Sequence, residues 1–230
     1  MEGQTAVVTG ASRGIGNAVA HAFAEAGAHV VVCARDGDEV AAVAEDIENA
    51  GGKATAMRAD VRDEFDVERL MENAAEIGGE IDYVIVNAAV YHGKTGATPL
   101  TEESYSAFDD HMRTNARGTF ATIREAFPHL AEDARILVAS GSVAREPYPG
   151  YGSYAVSKAA AEAIARGFGA DTERVVCVVD PGQVATKLSG GEGHDPADVA
   201  EQFRWAATDA PAELLDGEIL TRKQWRKEMR

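Results

Sequence analysis

Cysteine is scarce in this chain: two residues, Cys33 and Cys177, in 230. Both sit inside apolar runs, VVVCA and VVCVV. That placement predicts buried free thiols rather than a disulfide framework or a reactive pair. The six histidines are scattered without metal-ligand spacing, so no zinc site is expected. No run approaches the ~18 apolar residues that a membrane span needs. The N-terminus, MEGQTAVVTG, lacks a basic region followed by an apolar stretch. A secretory signal is therefore not expected, and the cytoplasm is the expected address. Positive charge is also in short supply. Against 38 acidic residues stand 22 basic ones, of which six are lysine, and the formal net charge is -16. Such a balance excludes nucleic acid and anionic membranes as expected partners. It suits solubility in strong salt, and a salt-adapted source is the expectation. Missing too are any Pro/Gly/Ser linker and any internal repeat, which leaves one domain over residues 1–230.

What is present is a regular alternation. Short β-branched runs occur at 5–9, 28–34, 53–59, 81–87, 134–140, 174–180 and 217–221. Helical stretches lie between them near 14–27, 38–51, 63–78, 101–130, 152–169 and 196–208. With 45% hydrophobic residues the chain has enough apolar surface for a core. Unbroken apolar strands joined by helices predict an α/β fold. The expected form is a single-domain, Rossmann-like, doubly wound parallel sheet of about seven strands with helices on both faces. Ligands of such sheets bind beyond the carboxyl ends of the strands, so the residues just after each strand carry the information. The last nine residues, RKQWRKEMR (222–230), are basic in an acidic protein. They read either as a frayed tail or as a tail docked on the acidic body of its own or a neighbouring subunit.

After the first strand comes Thr9-Gly10-Ala11-Ser12-Arg13-Gly14-Ile15-Gly16. Glycine permits a tight turn and a close backbone approach, and the helix that follows offers free N–H groups to a phosphate. Far downstream, YPGYGSYAVSK (148–158) holds three tyrosines and a lysine. On a helix, Tyr154 and Lys158 stand at i and i+4 and share a face. Tyr151 is seven residues from the lysine, ~10 Å of rise away, and Tyr148 lies before the helix between two prolines. An ammonium about 4 Å from a phenol is worth ~4 kcal/mol at an effective dielectric of 20. That is enough to bring a phenol from about 10 toward neutrality.

The G-x-x-x-G-x-G spacing, together with Tyr154-x-x-x-Lys158, resembles the short-chain dehydrogenase/reductase family over nearly the whole chain, from Thr5 to about Leu220. The resemblance implies an oxidoreductase that moves hydride between a nicotinamide and a carbonyl or alcohol substrate. Tyr154 would be the general acid/base, Lys158 the charge beside it and on the nicotinamide ribose, and Asn115 the holder of a relay water. Ser142, the serine of SGSVAR (140–145), would hold the substrate oxygen, with Ser140 as the fallback. A cofactor-binding set follows by the same resemblance: Gly10, Ser12, Arg13, Gly14, Ile15, Gly16, Arg35, Asp60, Val61, Asn87, Ala88, Ala89, Pro181, Gly182, Val184 and Thr186, besides Tyr154 and Lys158. Arg35 after the second strand, with Arg13, predicts NADP(H) over NAD(H), because a guanidinium grips a 2′-phosphate bidentately. Asp36 competes for Arg35. Val90 departs from the family's usual glycine after Asn87-Ala88-Ala89. The short KLSGGEGHDP segment (187–196) predicts a weakly lidded substrate site, lined by some of Val90, His92, Arg145, Tyr148, Tyr151 and Leu188. A homodimer or homotetramer built on the two long helices is the expected assembly. Two other functions fit the same scaffold: a non-catalytic NADP(H) sensor, and epimerase- or lyase-type chemistry.

Overall fold

A computed structural model describes the protein from Met1 to Arg230. Seven strands form one sheet: β1 (Thr5–Thr9), β2 (His29–Ala34), β3 (Lys53–Arg58), β4 (Ile81–Val86), β5 (Leu130–Ala139), β6 (Val175–Asp180) and β7 (Ile219–Thr221). Their order is β3-β2-β1-β4-β5-β6-β7. Every pairing is parallel. The order reverses between β1 and β4, so a crevice opens there at the carboxyl edge.

The strands are apolar without alternation because both faces are covered. Every residue of β1 is buried. Even and odd positions of one strand feed different cores. Ala6 and Val8 of β1 join Phe23, Val43, Ile47 and Phe203 on one face. These come from α1 (Gly14–Glu25), α2 (Gly37–Asn49) and α7 (Pro196–Thr208). Val7 joins Leu70, Met71, Ile123 and Ala165 on the other, supplied by α3 (Glu64–Gly78), α5 (Gly118–Ala126) and α6 (Gly152–Asp171). Side-chain oxygens close several helix starts. Asp36 accepts from the backbone of Asp38 and Glu39, Asp63 from Phe65 and Asp195 from Ala197, each satisfying donors the helix cannot.

Three elements differ from the sequence expectation. The helix expected over 101–130 starts at Tyr105, capped by Ser104, and runs as α4 (Tyr105–His111), a π-helical turn (Met112–Arg117) and α5. A short 3-10 turn (Phe127–His129) then leads into β5, which begins at Leu130 rather than 134. The basic C-terminus forms α9 (Arg222–Glu228), after the short α8 (Ala212–Leu215) and β7. A reciprocal capping box between Thr221 and Gln224 starts α9, and Trp225 packs on the first core. The segment is helical rather than frayed, and its contact with the body is made by an indole on apolar residues.

Candidate active site

A cleft of about 900 Å³ runs along the carboxyl edge from Arg35 to Leu188. Its floor is the β1–α1 turn. Gly10 and Gly14 have φ of 65° and 60°, values that L side chains avoid. Gly16 is excluded from bearing a side chain by space: a Cβ there would lie 2.5 Å from both Asn87 Nδ2 and the Gly10 carbonyl oxygen. Asn87 itself faces inward. Its Nδ2 donates to the carbonyls of Thr9 and Gly10 at 3.1 Å, while Thr9 Oγ1 accepts from the backbone of Asn87 and Ala88. These bonds stitch β1 to β4 at the crevice and leave the backbone of Ala88 and Ala89 on the cleft wall. A floor without side chains beside a helix start fits a pyrophosphate.

At the far end, Arg35 lines the cleft and forms no ion pair. Asp36, its feared competitor, is occupied in capping α2. Arg13 lines the same cleft, 3.9 Å from Glu39 in the first turn of α2. Asp60 is turned away: its carboxylate is held by the backbone N–H, Nε and Nη2 of Arg62. Burial alone would raise that carboxyl, and the Arg62 bonds hold it low instead. Val61 and its neighbour Ala59 form the wall there.

Tyr154 and Lys158 share one face of α6 and both line the cleft. Lys158 is 6% exposed, and Nζ donates to the Ala139 carbonyl at 2.5 Å. Burial draws its pKa down to about 8, against the opposing pull of Glu162 one turn further on. The Tyr154 phenol is pushed up, by burial first and then by Tyr151 and Tyr91. Sequence reasoning expected the lysine to lower the phenol. Instead desolvation dominates and pushes the phenol up, and the ammonium is turned to the Ala139 carbonyl at the end of β5.

Asn115 is buried in the π turn. Its side chain accepts from the Val90 N–H at 2.8 Å, donates to the Val90 carbonyl at 2.9 Å and reaches Ser157 at 3.0 Å. It thereby fixes the segment after β4, in which Val90 stands without positive φ. The Asn115 carbonyl accepts from Thr119 Oγ1.

The two serines exchange places relative to expectation. Ser140 lies in the cleft lining and Ser142 does not. Ser140 Oγ donates to Glu162 at 2.7 Å. Glu162 is paired with Arg145, which also pairs with Asp180. At Ser142 the chain turns into a 3-10 helix, and its hydroxyl meets Tyr148 instead, at 3.3 Å. Ser142, the expected oxygen holder, thus stands off the cleft lining, and its fallback Ser140 within it. The spacing to Tyr154 could not show where the strand's end gives way to a turn.

Past β6, Gly182 (φ 75°) turns the chain, with its N–H on Asp180. Thr186 reaches the cleft above Gly14, whose Cβ would meet it at 3.1 Å. Pro181, Gly182 and Val184 shape this turn without lining the cleft. Val90, His92 and Leu188 line the substrate end, whereas Arg145, Tyr148 and Tyr151 do not. Tyr91 was missed by the sequence reading. It lies edge-on to Tyr154, with ring centroids 5.0 Å apart. Its place four residues after Asn87 was the available signal.

A parallel sheet with a side-chain-free turn at its crevice defines a nucleotide-binding protein of the doubly wound class. The chain belongs to the short chain dehydrogenase family, whose model matches residues 4–197. Versicolorin reductase stcU of Emericella nidulans is 36% identical over 193 residues, 82% of this chain and 72% of that protein. A probable tetrahydroxynaphthalene reductase of Zymoseptoria tritici is 36% identical over 235 residues, 94% and 85% of the two chains. Among solved structures, a dehydrogenase/reductase from Sinorhizobium meliloti 1021 superposes with a TM-score of 0.86 at 33% identity, covering 96% of this chain and 94% of that one. A short chain dehydrogenase from Burkholderia cenocepacia J2315, in complex with NADP, gives 0.85 at 28% identity and covers 96% of both chains. The protein is therefore an oxidoreductase of the nicotinamide-using kind.

Proposed function

We propose that this chain is an NADP(H)-dependent carbonyl reductase. The observation that carries the reading is the placement of Tyr154 and Lys158, one helical turn apart, in the same cleft as the glycine floor. NADPH, when bound, supplies the hydride that the carbonyl carbon accepts. Tyr154 hands its proton to the carbonyl oxygen. Burial pushes that phenol up and so weakens it as an acid; positive charge nearby opposes this by favouring the anion left after transfer. Lys158 holds positive charge at the end of β5 beside that proton donor. Ser140 is the hydroxyl available for the substrate oxygen, once it exchanges its bond to Glu162. The unpaired Arg35, with Arg13 in the same cleft, supports the 2′-phosphate and hence NADP(H).

The reading extends to assembly and setting. Tyr105, Phe108, Phe120 and Val156 are exposed apolar residues on α4, α5 and α6, and they support pairing of two copies through these helices. No helix is long and apolar enough to cross a membrane. A cytoplasmic, salt-adapted protein, a single unit over residues 1–230 with its basic tail 222–230 folded back, completes the proposal.

The test follows NADPH absorbance against a panel of ketones and aldehydes. Tyr154→Phe is expected to bind NADPH and lose at least ~100-fold in kcat. Ser140→Ala is expected to cost more than Ser142→Ala. Full turnover by Tyr154→Phe would overturn the assignment. Binding of NADPH without oxidation would favour a sensor, and turnover without net cofactor loss an epimerase- or lyase-type enzyme.

A further inference from the structure

Resting on the carbonyl-reductase reading, we propose that His92 is a specificity residue that binds a second oxygen, a hydroxyl group, on a cyclic ketone substrate. His92 lines the cleft with Tyr154 and Leu188, and its side chain is 45% exposed. Both of its ends are fixed. The backbone N–H donates to His111 Nε2 at 2.9 Å. Nε2 of the His92 ring meets Asp110 Oδ2 at 2.7 Å, and the other carboxylate oxygen accepts from Arg62 Nη1 at 3.0 Å. Arg62 is locked in turn by Asp60. Asp110 is ionised: burial would raise it, but the bonds from His92 and Arg62 hold it low.

An ionised carboxylate only accepts, so Nε2 carries the proton. In a neutral imidazole bonded this way Nδ1 is a lone pair, and no protein group hydrogen-bonds it. A lone pair held in place by a carboxylate is an acceptor for a substrate O–H. The surroundings set the class of molecule that carries it. Val90, Tyr91 and Leu188 make this end of the cleft apolar, and Tyr91 presents an aromatic ring beside Tyr154. The other polar side chains on this wall are poorer acceptors. Thr114 is buried and directed at Asp110, and Lys187 is an exposed cation. A ring ketone with a hydroxyl some way from its carbonyl matches an apolar wall with one anchored acceptor.

The experiment compares α-tetralone with tetralones bearing a single hydroxyl on the aromatic ring. Turnover is read as NADPH oxidation by wild type, His92→Phe and Asp110→Asn. In the wild type, kcat/KM for the best hydroxylated ketone is expected to exceed that for α-tetralone about tenfold, the worth of one partly exposed hydrogen bond. His92→Phe keeps a ring of similar size and is expected to bring that ratio to about one, chiefly through KM. Asp110→Asn, which frees the imidazole to turn, is expected to give an intermediate ratio. No preference in the wild type, or a preference that survives in His92→Phe, overturns the proposal. An equal loss on both ketones also overturns it, by making His92 a structural residue. Should the wild type reduce no ketone at all, the reductase reading fails on its own. Calorimetric titration of the same ketones into the NADP-loaded protein then decides the role of His92: a hydroxyl preference lost in His92→Phe supports it, and equal affinities overturn it.

Discussion

Lys158 holds a charge where the fold would be more stable without one. Its pKa of about 8 in the folded protein lies below the ~10.4 of an unfolded lysine. Below pH 8 both states are charged, and only the folded one bears the cost of burial, about 3 kcal/mol. Between pH 8 and about 10.4 the unfolded chain binds the extra proton, so stability from this group rises with pH until the cost is gone. Lys158→Met is therefore expected to raise the urea midpoint at pH 7, to give little gain at pH 10, and to abolish turnover. A variant no more stable than wild type at pH 7 would show that Ala139 and Glu162 already compensate the charge. The pairing of Tyr154 with Lys158 was legible because i and i+4 share a face whatever surrounds the helix. The depth of Lys158, and the turn that takes Ser142 off the cleft lining, were not. Both depend on how the end of β5 meets α6, and no local spacing encodes that. Asp60 is a different case, a local one: its carboxylate is taken by Arg62, two residues away.

At the scale of elements, the strands were readable to within a residue or two except β5, because unbroken β-branched runs admit few alternatives. The region 101–130 was harder. A mid-helix asparagine signals that something interrupts the pattern. Its consequence, a π turn that aims Asn115 at both backbone groups of Val90, needs the β4 segment in place. Residues 221–224 read T-R-K-Q, and the Thr-x-x-Gln spacing of a capping box was available as a helix signal. Charge drew attention to this segment and hid Trp225, the residue that anchors it. Because α9 closes the first core through that indole, Trp225→Ala is expected to lower unfolding stability by about 2 kcal/mol, less than full burial would cost. Urea unfolding checks it. An unchanged midpoint would make α9 a bystander.

For the whole molecule, the dominant fact is a net charge of -16. Self-repulsion of that size opposes compaction. Salt shortens its reach from about 10 Å at ~0.1 M to about 3 Å at ~1 M. Thermal midpoint and turnover are both expected to rise across that interval, followed in potassium chloride. An optimum near zero salt would remove the case for adaptation. The order of the sheet has a consequence for how the protein is made. Thr9 bonds to Asn87, and Gly14 lies under Thr186, so the phosphate floor is drawn first and its roof nearly last. A nascent chain emerging from the ribosome cannot close its grip on a dinucleotide until the segment after β6 has left the exit tunnel.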